Sequence, residues 1–209
     1  MSHDFFYAHE PAEVSVLGLR LRPLSVGHLI LLHTVESAFI SPQAVPVLND
    51  LAIGTLICSQ SYEEASASLR DPDLPKFLHE WPIRLSGCRK WSVRLGFKPK
   101  REIDFPSEIR IFVEYLSKHL KCPNHQWNPG DFRKNDVPEV QEVKIALMRD
   151  LHIPEAELLD RSWLLSRWDY LTLRAMRGEI QIYNGNELQA AKDLANQAAE
   201  AIAKRGGIG

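Results

Sequence analysis

Residues 162–177, "SWLLSRWDYLTLRAMR", constrain the fold more than any other stretch. Sixteen residues without Pro or Gly, followed by Gly178 where a C′ glycine belongs, specify a helix. Its apolar residues overfill one face. Leu164, Trp168, Leu171 and Ala175 recur at i, i+4, i+7 and i+11, and this spacing predicts the core-facing stripe. Trp163, Arg167, Tyr170, Arg174 and Arg177 form a second stripe. Its aromatic–arginine composition is the one enriched at protein interfaces, so Trp163, Arg167, Tyr170 and Arg174 are candidate partner-binding residues. The competing reading keeps them at home, with the arginines lying over the rings and pairing with Asp160, Asp169 or Glu179.

Other segments follow the same helical grammar. "EVSVLGLRLRPL" alternates Leu17, Leu19 and Leu21 with Gly18, Arg20 and Arg22, which predicts a strand with a hairpin or bulge near Leu17-Gly18. Ser25 offers an N-cap to a helix carrying Val26, Ile30, Leu31 and Val35. A second, largely buried helix follows Pro46, and "YEEASASL" either continues or caps it. Residues 89–97 alternate, which fits a strand with a basic outer face or, with the same letters, a loop. A helix with Ile109, Phe112, Tyr115, Leu116 and Leu120 comes next, with Ser107 as its expected cap, and 121–137 reads as an exposed loop. Helix 138–151, a turn at "HIPEAE", the opening helix, a short extended piece with a turn at Asn184-Gly185, and an alanine-rich tail complete the chain. The expected fold is mainly α (α+β), with a small N-terminal strand or hairpin and a second short strand pair. It is read as one domain over residues 1–209, or as an N-terminal α/β region (residues 1–120) and a helical C-terminal region (residues 138–205) joined by loop 121–137.

A content of 44% hydrophobic and 25% charged residues argues against wholesale disorder, and a net charge of −2 supplies no global field toward nucleic acid or membrane. The opening residues lack the basic and apolar regions of a signal peptide, and "HLILLHTV" is too short to span a bilayer. With three scattered cysteines, Cys58, Cys88 and Cys122, this predicts a cytoplasmic protein with reduced thiols.

The chain lacks GxxxxGK[ST], GxGxxG after a strand, GxSxG and HExxH. His119, Cys122 and His125, with Cys88 as a fourth, are the nearest approach to a zinc set, and ordinary loop residues are the favoured reading. Glu63-Glu64 and Glu155/Glu157 read as helix-surface charges, and His28 and His33 as edge residues without a nucleophile. No enzyme, metal or cofactor is expected. Arg84, Arg89, Lys90, Arg94, Lys98, Lys100 and Arg101, interleaved with Trp81, Trp91 and Phe97, suggest a nucleic-acid platform over 84–101. The alternation counts against it, since it sends Trp91 and Phe97 away from Lys90 and Arg94. "ALMRDLHIPEAELLDRSWLLSRW" looks like a helix–turn–helix, but its second helix opens on Trp and Leu rather than base-reading polar residues.

Three stretches, "LRLRPLSVGHLILLHTVESAFI", "NDLAIGTLICSQSYEEA" and "LLSRWDYLTLRAMRGEIQIYN", together resemble phage or prophage tail assembly chaperones of the kind found beside the tape-measure protein. The resemblance is one of texture, over about two thirds of the chain, and leaves out the basic 84–101 region and the alanine-rich tail. It implies a non-enzymatic protein of the host cytoplasm that coats the helical tape-measure protein and recruits tail-tube subunits, with no cofactor. A structural subunit retained in the virion is the remaining alternative.

Overall fold

The computed structural model describes residues 14–41, 44–78, 104–123, 125–127 and 137–182. Strands β1 (Ser15–Val16) and β2 (Leu19–Arg20) pair antiparallel, Ser15 opposite Arg20 and Val16 opposite Leu19. A two-residue turn joins them, with φ 47° at Leu17 and 79° at Gly18. Two consecutive positive φ values are the signature of a twist-compatible hairpin turn, and leucine is strained at its first position. Two contacts hold it there. The Leu17 side chain is 2% exposed, and its N–H donates to Oε2 of buried Glu108 at 2.9 Å.

Helix α1 (Val26–Thr34) opens with a reciprocal cap. The Ser25 hydroxyl accepts from the His28 N–H, and His28 Nδ1 accepts from the Ser25 N–H, both at 3.1 Å. This is a capping box with histidine in the place of the usual Glu or Gln. Because Nδ1 accepts, the ring proton sits on Nε2, which donates to the Gln60 carbonyl at 2.8 Å. Burial pushes the His28 pKa below its ordinary 6.5, and His119 moves the same way for the same reason. The unfolded chain therefore takes up these protons first, so stability should fall as pH drops through about 6.5 and level off below the folded-state values. Denaturant titrations between about pH 7.5 and 5, above most carboxylate titration, should show this slope. His28→Gln, which keeps the cap chemistry, should flatten it without removing it, since His119 remains. An unchanged slope in that variant would rule His28 out as a source.

Helix α2 (Leu48–Ser59) and α3 (Tyr62–Leu69) are separate, because Gln60 is extended and Ser61 starts a new capping box with Glu64. Helix α4 (Phe105–His119) starts at Asp104, with Pro106 in its first turn, so Ser107 lies inside the helix and is not its cap. Phe112, Tyr115 and Leu116 point into the core, and the Tyr115 hydroxyl donates to the Arg22 carbonyl at 2.8 Å.

The C-terminal elements are α5 (Glu139–Asp150), α6 (Glu155–Asp160), α7 (Trp163–Met176) and β4 (Ile180–Ile182). "HIPEAE" is thus only half a turn, since Pro154 starts α6. The predicted loop 121–137 contains strand β3 (His125–Trp127), which pairs antiparallel with β4, His125 opposite Ile182. Their partners are more than fifty positions apart in sequence, so no local signal marks them as a pair. The mainly helical fold with two small antiparallel strand pairs is the expected one. The expected strand at 89–97, the Asn184-Gly185 turn and the alanine-rich tail lie outside the described residues.

Helix α1 sits at the centre, in contact with α2, α3, α5, α6 and α7. At Gly27 it passes so close to α3 and α6 that an added Cβ would lie 2.7 Å from the Leu159 carbonyl oxygen. The starts of α1 and α7 are stitched together: Val26 N–H donates to Arg161 O at 3.1 Å and Trp163 N–H to Leu24 O at 2.7 Å, a bridge centred on Ser25 and Ser162. One apolar core runs from Val16 through Phe112 to Ile180. Among the described residues no helix is long and apolar enough to cross a membrane.

Candidate functional site: the α5–α7 seam

Helix α7 ends in a Schellman motif: Gly178 N–H donates to Ala175 O and Glu179 N–H to Arg174 O, with Gly178 at φ 75°. Between its ends α7 is flanked on two sides. Leu164 and Leu171 are buried and Trp168 and Ala175 half-buried; of this first stripe Leu171 belongs to the apolar core and Ala175 packs against it. The second stripe is buried at its aromatic residues. Trp163 is 2% and Tyr170 3% exposed, and both belong to the apolar core.

The arginines between these aromatic residues fasten α7 to α5. Arg167 donates to the Leu120 carbonyl at 3.1 Å, pairs with Glu139 at 2.8 Å, and sits 5.8 Å from the Trp163 ring centroid. Arg174 lies 5.1 Å from the Tyr170 ring centroid, donates to the Tyr170 hydroxyl at 3.0 Å and to Glu142 at 2.7 Å, and pairs with Glu179. The Tyr170 hydroxyl itself donates to Glu142 at 2.9 Å. Burial, reinforced by this bond to Glu142, raises the Tyr170 pKa to about 12. Burial opposes the charge on Arg174, yet hydrogen bonds to Glu179 and Tyr170 hold its pKa above the ordinary arginine value.

A third link closes the seam. Asp150 accepts from Arg149 Nε at 2.8 Å and from Arg177 at 2.8 Å, and these contacts, that with Arg149 first, lower its pKa to about 2. The links Glu139–Arg167, Glu142–Arg174 and Asp150–Arg177 ascend together in both helices, so α5 and α7 run parallel.

Trp163, Arg167, Tyr170 and Arg174, the residues expected to meet a partner, make contacts within their own chain along the seam between α5 and α7. Sequence reading missed Glu139, Glu142 and Asp150, whose spacing down one side of a predicted helix was the available signal.

Cys122 Sγ lies 3.5 Å from His125 Nδ1, but the same nitrogen is 2.9 Å from the Pro123 carbonyl. A carbonyl only accepts, so Nδ1 carries a proton and is not a base toward the thiol. Burial pushes the Cys122 thiol pKa up, opposite to what a nucleophile needs. His119 Nδ1 lies 2.9 Å from the Tyr115 carbonyl and is likewise a donor. Among the described residues no three His, Cys, Asp or Glu side chains are placed to hold a metal ion; Cys88 and the basic segment 84–101 lie outside them. Glu64 serves the α3 cap, Glu155 pairs with Lys144 at 2.7 Å, and Cys58 is fully buried with its thiol pKa raised to about 12 by that burial. Comparison with known protein families, curated proteins and solved structures found no match to the chain.

Proposed function

We propose that this chain is a non-enzymatic phage or prophage tail assembly chaperone, acting in the host cytoplasm to bind the tape-measure protein and tail-tube subunits during assembly. The observation that carries the reading is spatial. Of the three stretches bearing the resemblance, residues 19–40 and 49–65 are neighbours in sequence and residues 164–184 lie about a hundred positions further on, and the helices they contribute meet. Helix α1 packs on both α2 and α7, and the "RPLS" segment is hydrogen-bonded to the start of α7 through Leu24 and Trp163. A combination of residues that shares one core is better support than three isolated similarities. A mostly helical protein with apolar surface can receive an amphipathic helix of a partner.

Co-expression with a tape-measure protein encoded beside this chain is the test. That protein should stay soluble and co-purify, and its precipitation alongside folded chain would overturn the reading. Proteomics of purified particles separates the alternative: a chaperone should be absent, whereas recovery at structural stoichiometry would make the chain a virion subunit.

A further inference from the structure

We propose that His28 is a proton-operated latch. A second proton on its ring turns the Leu24–Ser25 peptide and frees the start of α7 from α1, with both helices still formed.

The latch is one peptide unit held at both ends. The Ser25 N–H and the Leu24 carbonyl belong to the same planar amide, so neither can rotate without the other. On one side the N–H donates to His28 Nδ1 at 3.1 Å. On the other the carbonyl accepts from the N–H of Trp163, the first residue of α7, at 2.7 Å. Nδ1 is free to accept because the single proton of the neutral ring sits on Nε2, which donates to the Gln60 carbonyl at 2.8 Å. A doubly protonated imidazole has no acceptor left. Its Nδ1–H would face the Ser25 N–H, donor against donor, at a residue that is 1% exposed. A buried donor without a partner is costly, so the two must part.

The ring is the less free of the two to move. It stays tied to the Gln60 carbonyl, a bond that strengthens when its donor is charged, and the His28 N–H stays on the Ser25 hydroxyl at 3.1 Å. The chain before the peptide is fixed as well. Arg22 donates its N–H to the Cys58 carbonyl and accepts the Tyr115 hydroxyl at its own, both at 2.8 Å, and Pro23 follows with φ locked by its ring. The amide between Leu24 and Ser25 is what remains to give. Turning it takes the acceptor from Trp163 N–H and opens to water a joint where Leu24, Val26 and Trp163 are buried. The companion bond, Val26 N–H to Arg161 O, belongs to the next amide and serves as the pivot. Burial is the main force keeping the second proton off the closed ring. The Gln60 bond and Asp160, at the end of α6, favour that proton, while Arg22 before α1 and His119 at the end of α4 oppose it. The wetter ring of the opened joint takes the proton more readily, so acid favours opening.

Amide-resolved NMR of the full chain is the test. Between about pH 7.5 and 5 the Ser25 and Trp163 amide shifts should titrate with the midpoint of the His28 ring signals. Hydrogen exchange at the Trp163 amide, corrected for its intrinsic pH dependence, should quicken several-fold, with about 10-fold as the ceiling one pH unit below the ordinary histidine pKa. That exchange should barely respond to dilute urea, the mark of local opening, whereas Val143 and Leu147 inside α5 should show the full slope of global unfolding. His28→Gln places an uncharged acceptor in the same cap and should abolish the Trp163 response. His119→Gln removes the other buried histidine and should leave it. A Trp163 amide that stays flat in the folded parent, follows the His119 midpoint, or still titrates in His28→Gln would overturn the proposal. So would acid-quickened exchange at Trp163 with the urea slope of Val143 and Leu147, since the event would then be global. If His28→Gln does not fold, the shared midpoint in the parent and its persistence in His119→Gln decide.

Discussion

Trp163→Ala should lower stability by about 3–5 kcal/mol, the cost typical of deleting a buried aromatic side chain. The indole is 2% exposed, and its loss would open a cavity where α7 begins, beside the bridge to Leu24. Arg167 would lose the ring 5.8 Å from its guanidinium, and its buried Nε already has no hydrogen-bond partner. For a chain of this length the corresponding fall in Tm is on the order of 10 °C, readable by circular dichroism or calorimetry. Trp163→Phe, which keeps most of the volume, should lose much less. The measurement separates the two readings of the aromatic–arginine stripe. A side chain reserved for a partner would leave Tm unmoved when truncated and weaken only association, so an unchanged Tm would overturn the assignment of Trp163 to the core.

Gly27→Ala should be the most damaging single-methyl change in the described residues. In an ordinary helix interior this substitution is favourable by about 1 kcal/mol. Here the new Cβ would sit 2.6 Å from Tyr62 Cδ2, 2.9 Å from Tyr62 Cβ and 2.7 Å from the Leu159 carbonyl oxygen. A tyrosine ring can swing aside, but a backbone carbonyl of α6 cannot move without the helix. Overpacking of this kind costs more than propensity returns, and a net loss of about 2–3 kcal/mol is expected in urea unfolding. Gly54→Ala is the comparison: its Cβ would approach Phe112 Cζ at 2.9 Å, the far end of a side chain. A smaller loss is expected there, and a gain in stability from Gly27→Ala would show that α1 and α6 can separate at little cost.

Local signals in the sequence were legible where the chain is locally determined. The alternation around Leu17-Gly18 located the hairpin, because a two-residue turn leaves its register in the adjacent letters. Ser25 located the start of α1, and Gly178 the end of α7, because caps are short-range hydrogen-bond patterns. Where two local signals competed, a closer reading was possible: Ser61 with Glu64 three positions on is a capping box that separates α3 from α2, and Pro106 outranks Ser107 at the start of α4. Strand β3 was illegible, since His125–Trp127 acquires its conformation from Ile180–Ile182. The packing of the second stripe on α7 was hidden for a related reason. Periodicity shows how many faces of a helix are apolar, not how many neighbours the helix has, and α7 has the core on one side and α5 on another. Two stripes are what a helix packed on two sides requires.

The bridge between Ser25 and Ser162 has a consequence for synthesis. The first helix of the core is sealed by hydrogen bonds to Arg161 and Trp163, and Gly27 packs against Leu159. At a translation rate of about 5–20 residues per second, the apolar face of α1 waits on the order of 10 s after leaving the ribosome for its last neighbours to emerge. Throughout that interval an unfinished molecule displays Leu29, Leu31 and Leu32 with their covering incomplete. A ribosome stalled before residue 160 would therefore hold a nascent chain that cannot complete its core, and that must be shielded or degraded.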